Sequence, residues 1–258
     1  MDFLYRTRDG VTSCIGKSNK TMFMIVRAMH LSLIIMVFII YGCSKEDMDV
    51  VDNDSVDFIF DFNDGQMGWT AEYTDYFIGM EDNIAFTSGL KSLPEPLDTL
   101  EKAIFLAGTN VSDDLFMFIK RRLTGLDSGT MYNFDFEVTF ATDVPDGTIG
   151  IRGSPGESVF IKVGVVNSEP VKIQMDQEYL INIDKGNQAS DGSDITTLGD
   201  FSNDTDDEVF VLKTVSNPEP FQATTDQDGA IWVLTGSESG FEGRSELLFD
   251  RLKIVARK

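Results

Sequence analysis

The chain has 258 residues and a net charge of −22, with 43 acidic residues against 21 basic ones. A field of that sign repels nucleic acid and anionic lipid surfaces, so no nucleic-acid partner is expected. The only histidine, His30, and both cysteines, Cys14 and Cys43, lie within the first 43 residues. A domain downstream therefore has no Ser-His-Asp set, no thiolate nucleophile and no histidine-ligated zinc.

The first hydrophobic element is "LSLIIMVFIIYGCSKED", Leu31–Asp47. Its apolar run ends at Tyr41, well short of the roughly 20 residues a spanning helix needs. Lys17, Lys20 and Arg27 precede it. A basic approach, a short apolar stretch and then small residues form the layout of an export signal. A transmembrane anchor and a buried core helix are the alternatives. Ile40-Tyr41-Gly42-Cys43 resembles the signal of bacterial lipoproteins, in which cleavage falls just before a cysteine that receives the lipid. The resemblance implies an acylated Cys43 and attachment to a lipid membrane. The polar, acidic "SKED" that follows is similar to the start of surface-exported lipoproteins of the Bacteroidetes type, which implies an outer-membrane or cell-surface location. Residues 1–42 are then leader and signal, 43–57 an acidic tether and 58–258 one domain. The leader holds five basic and two acidic residues, so the remainder carries about −25. Seventeen of the 20 phenylalanines fall in that remainder, many in spaced apolar runs, and argue against disorder.

From residue 58 onward the chain reads as strands. "FIFDF" places Phe58, Phe60 and Phe62 on one face. "NFDFEVTF" turns Phe134, Phe136, Val138 and Phe140 one way and Asn133, Asp135, Glu137 and Thr139 the other. Further strands are expected at 103–107, 115–120, 148–152, 159–166, 171–175, 179–183, 209–215, 230–235 and 247–256. Clusters of Asp, Gly, Asn, Ser and Pro separate them. Residues 191–208 read as a long acidic loop. Many short strands without crossover helices predict an all-β sandwich or barrel.

Two ends of the chain carry a resemblance. "FDFNDGQMGWT" (60–70) and "LLFDRLKIV" (247–255) resemble the first and last strands of jelly-roll carbohydrate-binding modules. The resemblance implies a jelly-roll-like β-sandwich of two antiparallel sheets, a glycan ligand and a structural Ca²⁺ joining the end strands. Asn63 and Asp250 would be its ligands, with Asn63 standing where those modules usually have Glu. Alternation also places Asp250 on one face with Leu248, Leu252 and Ile254, where a carboxylate needs a hydrogen bond or a metal. "GSESGFEGRSELLFD" (236–250), with Trp232 before it, is similar to a segment of uncharacterised secreted bacterial proteins. Gly236, Gly240 and Gly243 read there as turns, with Glu238, Glu242 and Glu246 beside them.

Candidate ligand-binding residues follow from side-chain chemistry. Trp69, Tyr73 and Tyr76 offer rings that stack on sugar faces. Asn182, Asp184 and Asn187 offer hydrogen bonds to hydroxyls. Glu157 and Asp184 would make an acid and base only if the fold brought them together. The expected function is non-catalytic binding of a glycan or envelope polysaccharide. A carboxylate enzyme acting on polysaccharide and a structural or adhesive envelope protein with a protein partner are the alternatives.

Overall fold

The computed structural model describes residues 54–258; the leader, Cys43 and most of the acidic tether lie outside the described residues. The first half of the domain contains β1 (Ser55–Asp61), β2 (Thr70–Thr74), β3 (Tyr76–Phe77), a single helical turn α1 (Glu81–Ile84), β4 (Thr87–Ser92), β5 (Lys102–Thr109), β6 (Leu115–Leu123) and β7 (Met131–Thr142). The second contains β8 (Val159–Val166), β9 (Lys172–Met175), β10 (Glu178–Ile181), β11 (Ile195–Asp200), β12 (Val211–Ser216), β13 (Phe221–Thr224), β14 (Ile231–Ser239) and β15 (Arg244–Arg257). Among the described residues no helix is long and apolar enough to cross a membrane.

These strands form an all-β, jelly-roll-like sandwich. One sheet has the order β12-β7-β15-β5-β4, with β1 also paired to β15 and β13 to β7. The other has the order β11-β8-β14-β6-β2. Every pairing between named strands is antiparallel. The chain passes directly from one sheet to the other between β1 and β2, β5 and β6, β6 and β7, β7 and β8, β11 and β12, β13 and β14, and β14 and β15. A small third sheet, β3-β10-β9, completes the set.

The period-two pattern explains the core. Phe134, Phe136, Val138 and Phe140 all face inward from β7. They meet Leu115, Met117 and Ile119 of β6 and Val159, Ile161, Val163 and Val165 of β8 in one cluster. Each such fully buried side chain contributes roughly 1.5–3 kcal/mol of transfer free energy. The outward face of the five-stranded sheet is also partly covered. Phe116, Phe118, Leu234 and Ile195 pack there with Ile181 of β10.

Several expectations need correction. β1 begins at Ser55, so residues 55–57 belong to the sandwich rather than to a tether. Residues 148–152 form no strand, and Ile149 and Ile151 are 95% and 67% exposed. β11 lies inside the stretch read as an acidic loop. Gly236 is no turn: it sits within β14, paired to Phe118 on one side and Lys162 on the other. The alternation around Asp250 also breaks. The β15–β7 register shifts between Phe249 and Arg251, so Asp250 is the extra residue of a β-bulge. Leu247 and Phe249 before the bulge and Leu252, Ile254 and Ala256 after it all reach the main core, whereas Leu248 joins a separate cluster with Phe105 and Ala141.

Candidate functional site

The residues singled out from the sequence fall into three places. The first is the sandwich core. Trp69 is 2% exposed and meets Phe60 edge-on, with ring centroids 5.4 Å apart. No face of this indole is open to a ligand on the surface.

The second place is an aromatic layer beside β2 and β10. Tyr73 stacks on Tyr76 at 5.0 Å and on Phe86 at 4.5 Å, and Tyr76 meets Tyr179 at 5.3 Å. The Lys172 ammonium lies 3.9 Å from the Tyr73 ring centre and donates to the Tyr76 hydroxyl oxygen at 2.8 Å. Burial lowers the Lys172 pKa and raises that of Tyr76. The rings are occupied by one another and by a cation, so Tyr73 and Tyr76 form a packed layer and not an open platform.

The third place is the connection between β10 and β11. Asn182 closes its entry: the amide donates to the Glu169 carbonyl at 2.9 Å and accepts from the Val171 N–H at 2.8 Å. Asp184 accepts from the N–H groups of Gly186 at 3.1 Å and Ser193 at 3.0 Å. These backbone donors, Ser193 first, hold its carboxyl below the ordinary range. Gly186 has φ +70, and a Cβ there would stand 2.2 Å from the Ser190 carbonyl oxygen, so glycine is required. Asn187 pairs with Ser190 through backbone groups across this tight turn. Glu157 is committed to its own loop, accepting from the Gly147 N–H at 2.6 Å, and Ser154 also donates to it.

The loop is fastened to the sandwich by buried charges that the sequence reading missed. Lys162 and Glu238 are both fully buried on neighbouring strands, β8 and β14, with Nζ 2.6 Å from Oε2. Lys162 Nζ also donates to the backbone carbonyls of Lys185 at 2.9 Å and Ser190 at 3.1 Å. Lys185, from the loop, donates to Glu238 and lies 3.4 Å from Asp114 and 3.6 Å from Asp75. A signal for this cluster was present: Lys162 stands inside the apolar run "VFIKVGVV", and a lysine in a buried strand demands a buried acceptor.

Burial dominates the titration here. It pushes the Asp75 carboxyl up to about 6, against the pull of Lys185 and of Thr74, whose hydroxyl donates to it at 2.6 Å. Asp114 is pushed up to about 7 by burial and by its hydrogen bond to Glu238. In Glu238 burial opposes ionisation, but the hydrogen bond from Asp114 and the Lys185 charge outweigh it and leave its carboxyl below the ordinary range. A raised carboxyl pKa means that the fold prefers neutral Asp75. Its contribution is present at low pH and lost as pH rises through about 6. Asp75→Asn therefore gains on the wild type between pH 4 and 7.5, by at most about 3 kcal/mol. Urea denaturation of both proteins at the two pH values measures this; a constant difference would refute it.

At the other end of the same face lies a groove of about 470 Å³. Its walls come from the end of β8, the β10–β11 connection and β13: Asn167, Ser168, Asn182, Ser193, Asp194 and Gln222. Val166, Ile183 and Phe221 supply apolar surface. The side chains of Asn167, Ser168 and Thr224 hold no hydrogen bond among the described residues. Of the predicted ligand residues only Asn182 lines this groove. Asn167, Ser168 and Gln222 could not be found from the sequence, since the end of β8, the β10–β11 connection and the short strand β13 bring the groove together.

Asn63 and Asp250 lie near one corner, where Asp61 of β1 pairs with Arg251 of β15. The Asn63 amide oxygen already accepts the Lys102 N–H at 2.8 Å. Burial raises the Asp250 pKa, with further contributions from Glu101 and Asp61. Among the described residues no group of three or more His, Cys, Asp or Glu side chains is gathered closely enough to hold a metal ion.

Fold and groove together define an antiparallel β-sandwich with a polar cleft at one end. No family model and no curated protein matches the chain. Similar solved structures include the enzymatically active domain of bacteriophage CBA120 tailspike protein 4, at 10% identity and TM-score 0.35, covering 72% of this chain and 19% of that one. Another is the CBM22-1–GH10 region of a Clostridium thermocellum endo-1,4-beta-D-xylanase in complex with xylohexaose, at 12% identity and TM-score 0.34, covering 77% and 27%. A third is the family 11 carbohydrate-binding module of Clostridium thermocellum in complex with a mixed-linked tetrasaccharide, at 10% identity and TM-score 0.36, covering 77% and 94%. The chain thus spans about a fifth of the tailspike domain and about a quarter of the CBM22-1–GH10 chain. Likenesses at these scores support no assignment of function.

Proposed function

We propose that the protein binds a glycan in the groove beside β13, without catalysis of its own, as a cell-envelope component tethered through an acylated Cys43. The observation that carries this reading is the groove itself. Its volume of about 470 Å³ falls within the range of small-molecule sites. It sets amides and hydroxyls against the apolar surface of Phe221, Ile183 and Val166. Sugars present that same combination of hydroxyl rims and apolar faces. The side chains of Asn167, Ser168 and Thr224 remain available to exchange hydrogen bonds with hydroxyls.

Retention on a glycan array, followed by calorimetry, tests the reading. Thr224 is exposed on the short strand β13 and lines the groove, and strand positions accept aromatic residues. Thr224→Trp fills the groove while leaving the sandwich intact. The wild type is expected to retain at least one glycan, and the variant to lose it with an unchanged denaturation midpoint. Failure of the wild type to retain any glycan, or equal retention by the variant, would sink the proposal.

A further inference from the structure

A second cavity, of about 150 Å³, lies at the opposite end of the five-stranded sheet. Its walls include Asp75, Phe77, Ser112, Asp114 and Glu178. Ser112 and Asp114 lie just before Leu115, which pairs with Ser239 at the far end of β14. The chain enters the domain at the other end, where Ser55 pairs with Arg257.

Two features of this cavity belong together. The first is a shortage of positive charge. Among the described residues, Asp75, Asp114 and Glu238 face two ammonium groups, Lys185 and Lys162. The donors of Lys162 are committed to Glu238 and to the carbonyls of Lys185 and Ser190. Lys185 is shared among the three carboxylates. Glu178 adds a fourth acid on the cavity wall, and its carboxylate has no ion-pair partner among the described residues. Burial is the main cause of the upward displacement of the Asp75 and Asp114 carboxyls, and the Glu238 charge beside them adds to it.

The second feature is an exposed apolar rim. Phe77 is 47% exposed, Ile78 39%, Met80 39% and Met175 53%. Phe77, Glu178 and Met175 form one row across β3, β10 and β9, so the acid stands between two apolar side chains. Phe77 lines the cavity and Met175 shares its row across Glu178, and exposed apolar side chains of this size mark an interaction surface.

We propose that this end of the sandwich docks a partner polypeptide that inserts a lysine side chain into the cavity. A lysine has the matching chemistry: a compact ammonium with three donors on a long apolar stem. The stem packs along Phe77 and Met175 while the ammonium meets Asp114 and Glu178. The inserted ammonium halves the shortage of two positive charges among these four acids. The sugar groove at the other end takes no part.

The test uses the full-length protein and two probes, Nα-acetyl-lysine methylamide and the same molecule acetylated on its ε-amine. Chemical shifts of the Phe77, Asp114 and Glu178 amides are followed at pH 7.5. The charged probe is expected to give saturable shifts confined to these residues. Acetylation of the ε-amine should weaken binding at least about tenfold, as should Asp114→Asn. If Asp114→Asn does not fold, Glu178→Gln serves instead. Equal binding of both probes would overturn the lysine site, as would the absence of saturable shifts. Tighter binding of glucosamine than of the charged probe would overturn the polypeptide as occupant.

Discussion

Glu238→Gln lowers the stability of the domain by about 3–5 kcal/mol. The substitution preserves the shape of the side chain and removes only its charge. Lys162 remains fully buried, and its partner carboxylate is gone. Its other hydrogen bonds go to neutral carbonyls, those of Lys185 and Ser190, which do not balance an ammonium in a low-dielectric interior. Lys185 loses its closest anion at the same time and keeps the more distant Asp75 and Asp114. For a domain of this size the loss corresponds to a melting point lower by about 6–20 °C. A double variant, Lys162→Met with Glu238→Leu, removes both members of the pair and places apolar volume between β8 and β14. A buried pair replaced as a unit is often neutral, so this double variant should lose less than Glu238→Gln alone. Chemical denaturation at pH 7.5 measures both. A Glu238→Gln domain within about 1 kcal/mol of the wild type would contradict the buried ion pair.

The same cluster shows where reading the sequence succeeds and where it stops. Strands with one wet face announce themselves through alternation, as β7 does with Phe134, Phe136, Val138 and Phe140. β8 is legible too, although it is buried on both faces, because "VFIKVGVV" is a continuous apolar run. Edge strands are not legible. β4 carries "TSGLKS", exposed at nearly every position, and β13 carries "FQAT"; each is held mainly by backbone pairing with β5 or β7. The pattern also misleads where hydrogen bonding overrides it. "TIGIR" alternates like a strand, yet Ile149 and Ile151 project into solvent from a connection. Strict alternation puts Asp250 on one face with Leu252, but a bulge inserts one residue and reverses the order. Charge obeys a different logic again. Glu238 among glycines and serines resembles a turn, but the lysine inside β8 required a buried acid somewhere, and β14 is the strand beside it. The groove was the least legible part, because Asn167 and Asn182 are polar residues of separate connections and Gln222 lies on an edge strand, with no shared pattern.

Trp69→Ala is expected to cost about 3–5 kcal/mol, the range for removing a large aromatic side chain from a core. Stacking aromatics are natural candidates for sugar contact, and Trp69 sits in a stretch that resembles the start of a binding module. Its surroundings assign it a different role. The space it shares with Phe136, Val138, Leu252 and Ile254 amounts to about 10 Å³, too little for more than one water. Phe60, its edge-on partner on β1, also carries the Arg121 guanidinium 4.6 Å from its ring centre, so loss of the indole disturbs that stack. The indole N–H adds a separate effect. It is buried and finds no acceptor among the described residues. An unsatisfied donor costs about 1–3 kcal/mol, and phenylalanine lacks it. Trp69→Phe should therefore be far milder than the loss of volume alone implies, within about 1.5 kcal/mol of the wild type. Denaturation midpoints for the two variants separate the packing contribution from that of the buried donor. Glycan retention by Trp69→Phe then separates core from site. Unchanged retention agrees with a core residue, whereas loss of binding at wild-type stability would return Trp69 to the ligand surface.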